Sequence, residues 1–230
     1  MRKITYSVAI LVVVAGCMAQ TRASFFPTSE QKFTKRLVAA ATERANHPAR
    51  YVPDYVRIDY PNGDVPADTG VCADEIIRAY RGVGIDLQKE VHEDMVRHFS
   101  EYPRKWGLSH PDTNIDHRRV PNLMVFFTRH GESLRVTKNA KDYLPGDIVS
   151  WDLGGNVPHI GIVVDRQPLL SSNHLVLHNV GEGPKIEYVL FRWQITGHYR
   201  SCGPKAPMPP VILKGLTHEL PNVRLSSTPL

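Results

Sequence analysis

The hydrophobic period of this chain changes once, near Gly131, and that change limits the folds open to it. Before Gly131, apolar residues recur at the spacing of amphipathic helices. Phe33, Leu37, Val38 and Ala41 mark a helix from Ser29 to about His47, opened by Thr28 and Gln31 in a capping-box arrangement. Ile76, Ile77 and Tyr80 share one face of a second helix, which follows Cys72 and stops at Gly82 and Gly84. Val91, Met95 and Phe99 mark a third, starting near Asp86 and ending before Pro103, and Pro121 opens a short fourth. After Gly131 come the short β-type runs "LRVT", "DIVSW", "HIGIVV", "HLVLH", "IEYVLF" and "QITGHYR", separated by Gly- and Pro-rich turns. Helices first and strands second predict an α+β domain, with N-terminal helices packed on an antiparallel sheet.

The ends of the chain read differently from its middle. Met1-Arg2-Lys3 precedes an apolar run from Val8 to Ala15 that is too short to span a bilayer, the layout of a secretory signal peptide over residues 1–23. "VAGC" resembles the bacterial lipobox, which would make Cys17 a lipidation site and attach the chain to a membrane. Residues 24–202 then suit one domain, and prolines punctuate an extended tail over residues 203–230. A formal charge of +5 without a dense Lys/Arg block argues against a nucleic-acid partner, as does export.

Cys72 is one of three cysteines, and at the mouth of a helix it has four readings: disulfide, buried small hydrophobe, metal ligand or nucleophile. An oxidising compartment allows a Cys72–Cys202 bridge. No pair of candidate ligands has the short spacing of a zinc site, and His92, His98, His110, His117 and His130 form no ligand pattern. Arg118 and Arg119 could bind a substrate carboxylate bidentately, but read first as part of a solvated loop. Downstream, "GDIVSW" and "HIGIVV" read as a hairpin that presents His159 at one end.

A cysteine at a helix start, followed by G-D-hydrophobic and H-hydrophobic-G-hydrophobic strings, resembles the NlpC-type papain-like cysteine peptidases. The strings "GVCADEIIRAYRGVGIDLQ", "NIDHRRVPN", "GDIVSWDLGGNVPHIGIV" and "HNVGEG" are similar to those of the bacterial domain of unknown function 1287 within that superfamily, over roughly Arg50 to Arg200. The resemblance implies a papain-like fold and a periplasmic or envelope hydrolase, an amidase or peptidase acting on peptidoglycan stem peptides without a cofactor. It makes Cys72 the nucleophile, activated by the helix N-terminus and a nearby imidazolium, and His159 the base. His178 stands where the superfamily puts the residue that orients the base, with Asn179 the alternative; strand alternation turns Asn179 to the other face, and it is counted with Tyr60 and Asp74 as a substrate-binding candidate. The backbone N–H of Cys72 would serve an oxyanion hole. Tyr60 matches a cleft-lining tyrosine, while Asp74 either complements the helix dipole or contacts a substrate amine. The alternative is a non-catalytic envelope module of the same fold, with Cys72 idle or bridged to Cys202.

Overall fold

A computed structural model of the chain describes residues 27–200 and Gly203. The expected signal peptide of residues 1–23, Cys17, Cys202 and the proline-rich tail lie outside the described residues. Four α-helices and eight strands are present among those described. Helix α1 (Ser29–Arg44) opens on the expected capping box: the Thr28 hydroxyl accepts from the N–H of Gln31 at 3.1 Å, and the Gln31 side chain accepts from the N–H of Thr28 at 2.9 Å. Two-residue strands β1 (Arg50–Tyr51) and β2 (Thr69–Gly70) pair in parallel, and α2 (Cys72–Arg81) follows directly. Helix α3 (Leu87–His98) is capped by the side chain of Asp86, and α4 (Val120–His130) carries Pro121 in its first turn. Proline is tolerated there because no intrahelical acceptor awaits its missing N–H.

The remaining strands are β3 (Glu132–Ser133), β4 (Ile148–Asp152), β5 (Pro158–Val163), β6 (Val176–His178), β7 (Lys185–Glu187) and β8 (Gln194–Arg200). They form one antiparallel sheet in the order β3-β8-β4-β5-β6-β7. The molecule is therefore a mixed α+β domain, as the change of period predicts. No described helix is long and apolar enough to cross a membrane.

Strand alternation divides the core in two. Ile148, Ile160, Ile162 and Leu177 face the helices and pack with Leu37, Ile76, Ile77 and Leu123. Val149, Trp151, Val163 and Val176 face the other way, onto Tyr143, Val189 and Leu190. Both faces of the central strands are thus covered, which accounts for the continuous apolar run of "HIGIVV". Gly161 in that run is required by close approach, since a Cβ there would lie 2.7 Å from the Leu177 carbonyl oxygen on β6.

Two sequence expectations change. "LRVT" is not a strand: the Leu134 N–H reaches the His198 carbonyl at 2.8 Å, and the Thr137 N–H turns away to the Tyr143 hydroxyl at 3.1 Å. "IEYVLF" contributes only Ile186 and Glu187 to β7, because Val189 and Leu190 fold over the second core, where the Leu190 carbonyl accepts from the Trp151 indole at 3.0 Å.

Candidate active site

Cys72 is the first residue of α2, after Val71 in extended conformation. It holds a free thiol and is 4% exposed. The backbone N–H of Ile160 is directed at the sulfur, so the thiol meets the peptide that joins His159 to Ile160. Helix α2 packs on β5, and that packing brings together residues almost ninety positions apart.

His159 sits on the opposite face of β5 from Ile160, against Trp151, with ring centroids 5.7 Å apart. Its Nε2 lies 3.0 Å from Nδ1 of His178, and Nε2 of His178 lies 2.9 Å from an Oε2 oxygen of Glu187. Trp193 stands edge-on to both imidazoles, at 5.7 Å and 5.9 Å. The two histidines are each 1% exposed, whereas the Glu187 side chain is 39% exposed. The register explains the row: Lys185 lies opposite His178, and Glu187, two residues along the same strand face, is its diagonal neighbour.

The electrostatics differ from the activated thiolate expected of the sequence. Burial pushes the Cys72 thiol up to about 12, against the lowering effect of the Ile160 N–H and assisted by the Asp74 carboxylate. A helix N-terminus favours an anion by about 0.3–1 kcal/mol, less than one pH unit, so burial prevails. Burial, then the neighbouring His178, holds His159 down at about 3. His178 is also lowered, burial outweighing the opposing pull of Glu187. At neutral pH the resting thiol and the resting imidazole are therefore both neutral.

The other sequence candidates fall in different places. Asp74 is 2% exposed and fully engaged: its carboxylate accepts from the Val71 N–H at 2.7 Å and takes a two-point ion pair from Arg118 at 2.8 and 3.0 Å. Arg118 is buried rather than solvated, and it also donates to the carbonyls of Val52 and Asp54. Asp74 thus ties the start of α2 to the segment after β1 and has no oxygen turned to a substrate amine. Asn179 is buried; its amide donates to the Gly70 carbonyl at 3.4 Å and its oxygen accepts from the Gly181 N–H at 3.1 Å. Tyr60 is not brought to Cys72, since its ring packs edge-on against His92 of α3 at 5.1 Å. The tyrosine near the thiol is Tyr51. It pairs with Gly70 and is 40% exposed; burial, then Cys72 and Asp74, push its hydroxyl up to about 12.

Tyr51, Trp193 and Glu187 escape the sequence reading. Glu187 could have been found by pairing "VLHN" with "KIEY" and asking which acid shares a face with His178. Among the described residues, no three His, Cys, Asp or Glu side chains are grouped so as to hold a metal ion.

Known proteins place the chain without naming its chemistry. It is similar to the uncharacterized protein YijF of Escherichia coli (strain K12), 53% identical over 150 residues, which is 65% of this chain and 73% of that protein. A family model described as "Domain of unknown function (DUF1287)" matches residues 38–201, spanning Cys72, His159, His178 and Glu187. The chain belongs to the DUF1287 family.

Proposed function

We propose that the protein is a papain-like cysteine hydrolase of the NlpC type, an amidase or peptidase that is exported and cleaves peptidoglycan stem peptides. The observation that carries this reading is the meeting of three elements: Cys72 at the first turn of α2, its thiol against the His159–Ile160 peptide, and His159 held by His178 at 3.0 Å. A nucleophile, a base and a group that orients the base form the minimal set for acyl transfer.

The neutral resting pair sets the order of events. The thiol proton passes to Nδ1 of His159 as sulfur attacks the substrate carbonyl, so the thiolate and imidazolium form only as the new bond forms. Collapse of the tetrahedral intermediate breaks the C–N bond, and the leaving amine takes the proton from His159. Water, deprotonated by the same imidazole, then hydrolyses the thioester and restores the thiol. The first backbone bond of α2 runs from the Asp74 N–H to the Val71 carbonyl at 3.0 Å, so the N–H groups of Cys72 and Ala73 precede it and would carry the oxyanion. Tyr51 is positioned to border the acyl group. The leader at residues 1–23 and a lipid on Cys17 would hold the enzyme at the cell envelope.

The burial of Cys72 favours one other reading, a wall-binding module in which the thiol is idle. Incubation with purified peptidoglycan and mass analysis of the released fragments separates the two. Hydrolysis by the wild type that Cys72→Ala abolishes supports the enzyme. Fragment release equal in both rejects it, and wall binding without fragments from either favours the module.

A further inference from the structure

The polar row at the site does not stop at His178. Two imidazoles in contact can be ordered in either direction, because each neutral ring carries one N–H and offers one bare nitrogen. With Nε2 of His159 3.0 Å from Nδ1 of His178, either nitrogen can be the donor. One order leaves Nδ1 of His159 bare and able to accept a proton, and the other protonates it and removes the base.

Glu187 breaks this symmetry. A carboxylate accepts and does not donate, so the His178 nitrogen 2.9 Å from Oε2 of Glu187 carries the hydrogen. Nδ1 of His178 is then the bare nitrogen, Nε2 of His159 must donate to it, and Nδ1 of His159 is left free. We propose that Glu187 is a positioning residue: through His178 it fixes the tautomer of His159 that can take the thiol proton of Cys72. This rests on the hydrolase reading above.

When the thiol S–H breaks, its proton forms the N–H at Nδ1 of His159, and no second proton has to move along the row. The charged or titratable groups that bear on His178 are His159 from β5, Glu187 and Lys185 from β7, and Arg192 from the turn before β8. Of these, Glu187 alone is both in contact with Nε2 and unable to donate. Its half-exposed carboxylate retains contact with water, whereas the rings it orders are buried and shielded by Trp193. Outer partners that fix an imidazole in this way typically matter 10- to 100-fold for the function they support, in the order-of-magnitude sense established for ligand histidines.

The test uses the full chain with Glu187→Ala and Glu187→Gln. Nitrogen-15 imidazole spectra report which ring nitrogens carry hydrogen. The wild type is expected to show both His159 and His178 protonated at Nε2, and Glu187→Ala to show a mixture of tautomers. On wall peptide, Glu187→Ala should lower kcat about 10- to 100-fold with KM unchanged, and Glu187→Gln, which keeps an acceptor, should recover part of the loss. Spectra unchanged by Glu187→Ala, or Nε2 of His178 bare in the wild type, would overturn the proposal. So would an unchanged kcat in Glu187→Ala. If the wild type turns over no wall peptide, the hydrolase reading is what fails, and the tautomer spectra still decide whether Glu187 orders the two rings.

Discussion

At Cys72 two influences oppose each other: the helix start lowers the thiol, burial raises it, and burial prevails. With His159 held at about 3 and Cys72 at about 12, both groups are neutral across the physiological range, and under the proposed mechanism that neutral form is the one that reacts. We expect kcat/KM to be flat from about pH 5 to about pH 9, with no limb near the ordinary histidine value of about 6.5. Ultraviolet thiolate absorbance should likewise show no Cys72 anion at neutral pH, with Cys17 and Cys202 replaced by serine to clear the background. A limb near pH 6 would mean that an ion pair exists at rest. Asp74 makes a second prediction at this scale. Asp74→Asn leaves Arg118 charged and buried without its partner, and breaking such a pair destabilises by about 3–5 kcal/mol. Urea denaturation measures this; a loss below about 1 kcal/mol would show that the pair is screened like a surface bridge.

At the scale of elements, the site depends on how closely β6 approaches β5. Gly161→Ala places a methyl group 2.7 Å from the Leu177 carbonyl, one residue before His178, so the strands must part. The expected cost is about 1–3 kcal/mol in stability, with a fall in kcat as the His159–His178 contact lengthens. A variant with normal melting temperature and normal turnover would show that the sheet absorbs the methyl group elsewhere. This scale also explains what the sequence discloses. The capping box at Thr28, the four helices and the strands "DIVSW", "HIGIVV" and "QITGHYR" are legible because each is a local pattern of period or turn chemistry. His178 is legible for the same reason, being assigned to its face by alternation. The residues that escape depend on pairing. Tyr51 rather than Tyr60 borders the thiol because a two-residue parallel bridge sets Tyr51 beside Gly70, and nothing local in either tyrosine discloses that. Glu187 requires the register of β6 on β7, and the role of Asp74 requires an arginine 44 positions away.

For the whole molecule, burial of neutral histidines ties stability to pH. His159 and His117 are both held at about 3, the latter by burial and then by Arg118 and Arg81. Unfolding returns them to about 6.5, so below that value the unfolded chain binds more protons and stability falls with pH. Each contributes a slope of about 1.4 kcal/mol per pH unit well inside the window from about 6.5 down to about 3. Asp94, which ties Tyr102 to Arg129 and is held at about 2, adds a loss only as pH falls below its ordinary 3.8. The unfolding temperature should therefore drop steadily from about pH 7 to about pH 5, where carboxylates contribute little. His117→Asn, outside the site, should flatten that slope; the same slope in wild type and variant would deny His117 its part.

The central claim is that Cys72 carries the acyl group of a wall peptide. Mixing the protein with a cross-linked stem peptide, quenching in acid within the expected turnover time and weighing the intact protein tests it most directly. A mass increase equal to the acyl fragment, mapped to Cys72 and absent from Cys72→Ala, is the predicted result. Peptide cleavage with no adduct, at the same rate in Cys72→Ala, would contradict it.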